Sequence, residues 1–396
     1  MAGLNETPRG ARTHIAFFGL RNAGKSTLVN AFTGQDVAIV SDVAGTTTDP
    51  VSKSMEILPL GPCVVTDTAG LDDDGGELGA QRVRRSLAVL STCDVAVWVA
   101  TEAEGAALAG EEARRRAEFF AECSRRGVPA LEYRRSESVE AFKARVAHLR
   151  LSDAPPPLLD GLVHEGDSVV CVCPIDGAAP KGRLILPQVQ LIRECLDAGA
   201  TASVCQPAQL RSCLARGPVS LVVTDSQAFA AVRDTLLGAA RDASPDALSA
   251  PPPLTSFSIL FARQKGDLDE FSRGVEAAFS LRDGDRVLIA EGCTHRRQCN
   301  DIGTVKLPKA LARLSGASLD FSFVSGQGFP EDAAALRKAG CRLVVQCGGC
   351  MLTRREVLRR VAIAREAGVP IANYGLVLAA AAGIRTAPGR GPLVSL

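Results

Sequence analysis

A chain of 396 residues exceeds one ordinary domain, so roughly two or three compact units are expected. Hydrophobic residues at 46% can build cores of that size, and the absence of long low-complexity tracts points to an ordered protein. Lys and Arg (45) nearly balance Asp and Glu (44), and a net charge of +1 argues against a broad basic surface for nucleic acid.

The chain opens on a polar stretch, Met1 to Thr13, that lacks the apolar core of a signal peptide. His14 to Phe18 predicts a strand and Lys25 to Phe32 a helix. Cys63 to Thr66 and Val95 to Ala100 predict further strands, Glu111 to Arg126 an amphipathic helix, and Val128 to Leu131 a short apolar run. Such alternation predicts a parallel sheet with helices on both faces. Ala154-Pro-Pro-Pro157 reads as a linker. A second, shorter unit follows, with strands at Ser168 to Cys173, Thr201 to Cys205 and Val219 to Thr224 and a helix from Leu186 to Asp197. Pro251 to Pro253 closes it. In the third unit strands are predicted at Arg286 to Ala290, Leu319 to Val324, Arg342 to Val345 and Val369 to Ala372, with a helix from Thr353 to Glu366. The second and third units invite comparison as similar topologies. The longest apolar run, around Leu376 to Ile384, is far short of the roughly 20 residues that span a bilayer. A cytoplasmic protein without membrane contact is expected.

Gly19-Leu-Arg-Asn22-Ala23-Gly24-Lys25-Ser26-Thr27 fits G-x-x-x-x-G-K-[ST] between a strand and a helix. Its glycines let backbone N–H groups turn toward a phosphate at the helix N-terminus. Lys25 is suited to the β- and γ-phosphates, and the Ser26 hydroxyl to Mg²⁺. Asp67-Thr68-Ala69-Gly70, at a strand end, supplies a carboxylate for the same Mg²⁺ and a glycine N–H for the γ-phosphate. Gly45-Thr46-Thr47 supplies a further hydroxyl, from Thr47, and a switch segment. In this order the three pieces predict a nucleoside triphosphate site.

Ser41-Asp-Val-Ala-Gly-Thr-Thr-Thr-Asp-Pro50 together with Asp67-Thr-Ala-Gly-Leu71 resembles the GTPases of tRNA modification and ribosome assembly. That resemblance implies a potassium ion at Asn22. It also implies slow hydrolysis, because Leu71 stands where many small GTPases carry a water-positioning glutamine. The group reads guanine through Asn-Lys-x-Asp, yet after Val128-Pro-Ala-Leu131 this chain has Glu132-Tyr-Arg-Arg-Ser-Glu137. Glu132 and Glu137 are the acidic residues at hand to replace the missing carboxylate. Weak or unspecific nucleotide binding is expected.

Thirteen cysteines without a secretion signal should be mostly reduced thiols. Cys63, Cys93, Cys171, Cys173 and Cys205 read as small buried hydrophobes. Cys293-Thr-His295, Cys299 and Cys347-Gly-Gly-Cys350 follow predicted parallel strands, where open α/β sheets place ligands. Spacing leaves three readings open: a structural zinc on four thiolates, a 4Fe–4S cluster on three or four, or reduced thiols without metal.

Long stretches resemble the FeFe-hydrogenase maturation GTPases. They include Ala179-Pro-Lys-Gly-Arg-Leu-Ile-Leu-Pro-Gln-Val-Gln190, Leu254-Thr-Ser-Phe-Ser-Ile-Leu-Phe-Ala-Arg263, Lys265-Gly-Asp267, Cys293-Thr-His295, Asp301-Ile-Gly303 and Cys347-Gly-Gly-Cys350. The resemblance implies three consecutive α/β domains: a P-loop GTPase over 1–156, a dimerisation domain over 157–253 and an iron–sulfur domain over 254–396. It implies a 4Fe–4S cluster on Cys293, Cys347 and Cys350, with His295 near or on the exchangeable iron. The family's second histidine, just before C-x-x-C, is Gln346 here, and Cys299 is an additional thiol read as a free loop cysteine. Function by resemblance is a dimeric carrier, bound to GTP or GDP with Mg²⁺. It would take a two-iron precursor, work beside radical-SAM maturation enzymes and deliver to apo FeFe-hydrogenase. The alternatives are a ribosome- or tRNA-maturation GTPase with a structural zinc, and a scaffold whose nucleotide domain has decayed. Arg354, Arg355, Arg359 and Arg360 read as the solvated side of a helix, with a face toward an anionic cluster or partner as the alternative. His14 and His148 read as satisfied or surface side chains, and His164 lies beside a linker.

Overall fold

The computed structural model describes residues 10, 12–34, 51–72, 81, 83, 86–101, 106–149, 156–175, 184–225, 228–242, 250–292, 301–349, 352–384 and 391–394. The chain divides into two compact units, Thr7–Ala154 and, from Pro155 on, the remainder to Leu396.

The first unit is built on a sheet ordered β2-β3-β1-β4-β5, formed by Thr13–Phe18 (β1), Val51–Ile57 (β2), Gly61–Asp67 (β3), Val95–Val99 (β4) and Ala130–Tyr133 (β5). Four strands run parallel, as the alternation predicts. The fifth does not: β2 pairs antiparallel with β3, Val51 opposite Asp67 and Ile57 opposite Gly61. A link of only three residues, 58–60, is too short for a crossover and forces the hairpin. Along β1 successive side chains alternate between faces. Ile15 and Phe17 enter one core with Phe32 and Phe142, while Ala16 and Phe18 enter the other with Trp98 and Phe119. Edge-on ring contacts tie the first core together, Phe17 to Phe32 at 5.4 Å and Tyr133 to Phe142 at 5.1 Å between centroids. The strand ends are thereby held rigidly beneath the loops they carry.

The second unit contains two four-stranded parallel sheets of the same topology. One is ordered β7-β6-β8-β9, from Ser168–Val172 (β6), Thr201–Cys205 (β7), Leu221–Thr224 (β8) and Leu254–Ser256 (β9). The other is ordered β11-β10-β12-β13, from Arg286–Glu291 (β10), Asp320–Ser325 (β11), Leu343–Gln346 (β12) and Ile371–Asn373 (β13). In each, the chain steps to one side of its first strand and then crosses to the other. A continuous core joins the two sheets, with Val170, Val222 and Phe229 beside Ile259, Phe271, Val287 and Val344. Cys63, Cys93, Cys171 and Cys173 are buried as expected, while Cys205 is only half-buried. Burial pushes the Cys63 thiol up to about 11 and the Cys173 thiol up to about 12, far from thiolate chemistry.

The arginine run corrects one expectation. On the helix Arg354–Ala367 the Arg360 side chain is 1% exposed, so it does not lie on a solvated face. Glu356 one turn earlier accepts from Arg360 Nε at 2.7 Å and from Arg359 Nε at 2.7 Å. The Arg360 guanidinium also stacks 4.8 Å over the Phe329 ring and donates to the Gly326 carbonyl at 2.8 Å. Arg360→Ala should therefore cost about 3 kcal/mol, read as a lower denaturation midpoint at neutral pH, because Glu356 loses one of its two arginine partners and keeps only Arg359, and the stack on Phe329 is lost. Burial pushes the Glu356 carboxyl up, but hydrogen bonds and charge from Arg359 and Arg360 outweigh it and hold the group below its ordinary 4.5. A depressed carboxylate contributes stability that is fully present above 4.5 and lost as pH falls through the lowered folded value. Glu356→Gln should flatten that acid limb of the stability–pH profile.

Candidate functional site

The first site lies at the carboxyl end of β1. The chain leaves β1 at Phe18, turns through Gly19 to Gly24 and enters the helix Lys25–Thr33. Gly24 caps that helix at φ 85°, and Asn22 takes φ 58°, a left-handed conformation that asparagine tolerates better than most residues. The loop is clamped to the end of β3. Leu71 N donates to Gly19 O at 3.2 Å, and Arg21 N donates to Asp72 Oδ1 at 2.6 Å. Gly70 allows this approach, since a Cβ there would lie 2.6 Å from Arg21 Cγ and 2.8 Å from Arg21 N. Asp72 carries no signature in the sequence beyond its position two residues after Gly70.

Within the loop, Lys25 is buried and donates from Nζ to Leu20 O at 2.7 Å. Burial pulls its pKa down, against the opposing charges of Asp67 and Asp72. Parallel pairing of Phe17 with Asp67 brings the carboxylate beside the loop. Ser26 Oγ donates to Asp67 Oδ2 at 2.5 Å, and burial pushes the Asp67 carboxyl up while Ser26, Lys25 and Lys53 pull it down. The other oxygen, Asp67 Oδ1, is buried with no hydrogen-bond partner among the described residues. A buried orphaned carboxylate oxygen beside a serine hydroxyl suits a hard divalent cation, so the residues present fit Mg²⁺. Thr68 Oγ1 donates to Phe17 O at 2.7 Å and Ala69 O accepts from Ser86 Oγ at 3.2 Å, which fixes the turn after β3. Ala23 is buried and Thr27 exposed, and Gly45, Thr46 and Thr47 lie outside the described residues. Leu71 is buried in the core with Leu20 and Phe18.

After β5, both acidic residues that sequence offers for reading a base are already engaged. Glu132 receives Arg116 at 3.0 Å and Arg134 at 2.8 Å, and Glu137 receives Arg145 at 2.7 Å. Neither presents a free carboxylate.

The second site lies where β10 and β12, neighbours in the third sheet, end side by side. The strand order reverses between them, which is where open α/β sheets form their ligand crevice. Cys347 N donates to Ala290 O at 2.9 Å, and Gly292 N donates to Cys347 Sγ at 3.0 Å. Gly292 immediately precedes Cys293, so the two cysteine-bearing segments meet at their bases. Gly349 turns the following loop at φ 66°. Lys265, itself 6% exposed, holds the loop by donating from Nζ to Gly349 O at 2.9 Å and Leu352 O at 3.0 Å. Nothing in the local sequence Lys265-Gly-Asp267 marks this lysine for a role. Gln346 is 1% exposed, and its Oε1 has no hydrogen-bond partner among the described residues. Cys293, His295, Cys299 and Cys350 lie outside the described residues. What is described fits an anionic iron–sulfur cluster: a half-buried thiol already taking a backbone N–H, in a loop whose Gly349 and Leu352 carbonyls are held by a buried ammonium.

Among the described residues, no helix is long and apolar enough to cross a membrane.

Three family models match the chain. Residues 14–125 match a 50S ribosome-binding GTPase, 158–266 the hydrogen maturase F dimerization domain and 269–386 the hydrogen maturase F tetramerization domain. Similar proteins include the tRNA modification GTPase MnmE of Caulobacter vibrioides, 40% identical over 102 residues, 25% of this chain and 23% of that protein. MnmE of Maricaulis maris is 33% identical over 177 residues, 41% of this chain and 40% of that protein. The chain thus spans less than half the length of either. Among solved structures, Era of Aquifex aeolicus bound to GDP and aluminium fluoride covers 82% of this chain and 97% of its own at 15% identity. Its TM-score of 0.26 is too low to carry weight. A P-loop GTPase unit followed by both hydrogen maturase F domains places the chain in the family of HydF-like GTPases.

Proposed function

We propose that this chain is a maturation scaffold and carrier that receives a two-iron precursor and delivers it to apo FeFe-hydrogenase. It would bind a resident 4Fe–4S cluster through Cys293, Cys347 and Cys350. The cluster would supply an iron open to a bridging ligand, with His295 near it. Cys299 would stay free in its loop. The supporting observation is the meeting of the β10 and β12 ends, where Gly292 N–H reaches Cys347 Sγ at 3.0 Å. Lys265 holds the Gly349 and Leu352 carbonyls of the loop that follows Cys347 and would add positive charge to a site for an anionic cluster.

The nucleotide site would regulate docking rather than cluster chemistry. Lys25 and the loop N–H groups bind phosphates of GTP or GDP, Ser26, Thr47 and Asp67 hold Mg²⁺, and Asn22 takes a potassium ion. Gly45 to Thr47 and Gly70 would move with the γ-phosphate. Buried Leu71 offers no polar group to orient water, so hydrolysis would be slow. The domains would run 1–156, 157–253 and 254–396, the second forming a homodimer, in the cytoplasm and beside radical-SAM maturation enzymes. The tRNA-modification relative from Caulobacter matches only 25% of the chain and supports no reading of the remainder.

The test is transfer. Protein loaded anaerobically with the two-iron precursor is mixed with apo-hydrogenase and hydrogen evolution is followed. Activation by wild type and none by Cys347→Ser supports the carrier. Equal activation by both, or none by either, contradicts it.

A further inference from the structure

The loop between β5 and the helix Val139–Ala147 occupies the place from which a base would be read, and what it holds toward the P-loop is a cation. Glu132 and Glu137 are bound by Arg116, Arg134 and Arg145. Arg135, by contrast, is exposed and has no hydrogen bond or ion pair to a described residue. Its guanidinium lies over the last glycine of the P-loop. A Cβ built on Gly24 would sit 2.9 Å from Arg135 Nη2 and 3.7 Å from Nε.

That position has a chemical meaning. Gly24 caps the helix Lys25–Thr33 at its N-terminus, where backbone N–H groups favour an anion and disfavour a cation. A guanidinium there without a carboxylate partner is stabilised once an anion lies between it and the helix end. Arginine has five N–H donors and no acceptor, in a planar fork that matches a phosphate. For the same reason it cannot read the N–H donors of a guanine edge, which need an acceptor such as a carboxylate.

We propose that Arg135 is a phosphate-binding residue of the nucleotide site, so that this loop contributes affinity for the polyphosphate instead of selectivity for the base. This inference rests on the nucleotide-binding reading of Gly19 to Thr27 and adds a residue that no motif marks.

The experiment is calorimetric titration of the full chain with the Mg²⁺ complexes of GTP, ITP and ATP and of inorganic tripolyphosphate. It compares wild type, Arg135→Ala, Arg135→Lys and, as a control for the site itself, Lys25→Ala. Arg135 is exposed and unpaired, so its variants should melt with wild type. The expected result is similar affinity of wild type for the three nucleotides. Arg135→Ala should then lower affinity by one common factor of about tenfold or more for all four ligands, with Arg135→Lys recovering part of it. A loss confined to GTP would overturn the inference in favour of a base contact, and unchanged affinity for every ligand would overturn it outright. If wild type binds none of the four, the nucleotide-binding reading falls as well. If Lys25→Ala weakens binding and Arg135→Ala does not, only Arg135 is lost.

Discussion

Lys265→Met is expected to strip iron from the cysteine site while leaving Mg²⁺–nucleotide binding unchanged. The ammonium is buried and donates to two buried carbonyls, Gly349 O and Leu352 O, that flank the second half of Cys347-Gly-Gly-Cys350. Methionine fills a similar volume but donates nothing, so both carbonyls lose a charged partner at about 1–3 kcal/mol each. The loop can recover those bonds only by turning toward water, which moves Cys347 away from Gly292 N–H. Iron per chain after anaerobic reconstitution should fall several-fold, while the titration with Mg²⁺–GTP stays at the wild-type value. Full iron content in Lys265→Met would show that the loop keeps its shape without the clamp.

The second large effect is at the other site. Lys25→Ala should weaken Mg²⁺–GTP binding roughly a hundredfold, from the loss of about 3 kcal/mol of charge-assisted contact to phosphate. The ammonium is pre-positioned by Leu20 O and Gly19 O at 2.7 and 3.4 Å, and burial strengthens its interaction with any anion it faces. Asp67→Asn should act differently. It keeps the bond partner of Ser26 but removes the charge that the orphaned Oδ1 offers a cation, so nucleotide affinity should lose much of its dependence on Mg²⁺. Calorimetry with and without Mg²⁺ separates the two variants. A common loss in both would mean that Asp67 supports the loop without touching the ion.

How much of this was legible in the sequence depends on the range of the interaction. The P-loop was legible because its geometry is local: strand, glycine turn and helix occupy consecutive residues from Thr13 to Thr33. The parallel sheets were legible from alternation, and with them the placement of Cys347 at a strand end. The hairpin of β2 was not, because Val51–Ile57 mixes charged and apolar residues on a half-buried edge. The burial of Arg360 is not legible, because a charged residue at helical spacing implies solvent until a ring such as Phe329 is known to lie under it. Lys265 and Gly349 are 84 residues apart in sequence, and Arg135 meets the glycine that caps the distant helix Lys25–Thr33. Neither pairing leaves a local pattern. The engagement of Glu132 and Glu137 is likewise a tertiary fact, since Arg116 reaches Glu132 from the helix Ala106–Arg125.

The most direct test of the carrier reading is the metal itself. Iron, acid-labile sulfide and zinc are to be measured on anaerobically prepared full-length protein, with EPR of the dithionite-reduced sample, alongside Cys347→Ser. Iron and sulfide in equal amounts, with a reduced-cluster signal that is lost or altered in Cys347→Ser, is the predicted result. Zinc without iron, or an iron signal indifferent to Cys347, would contradict it.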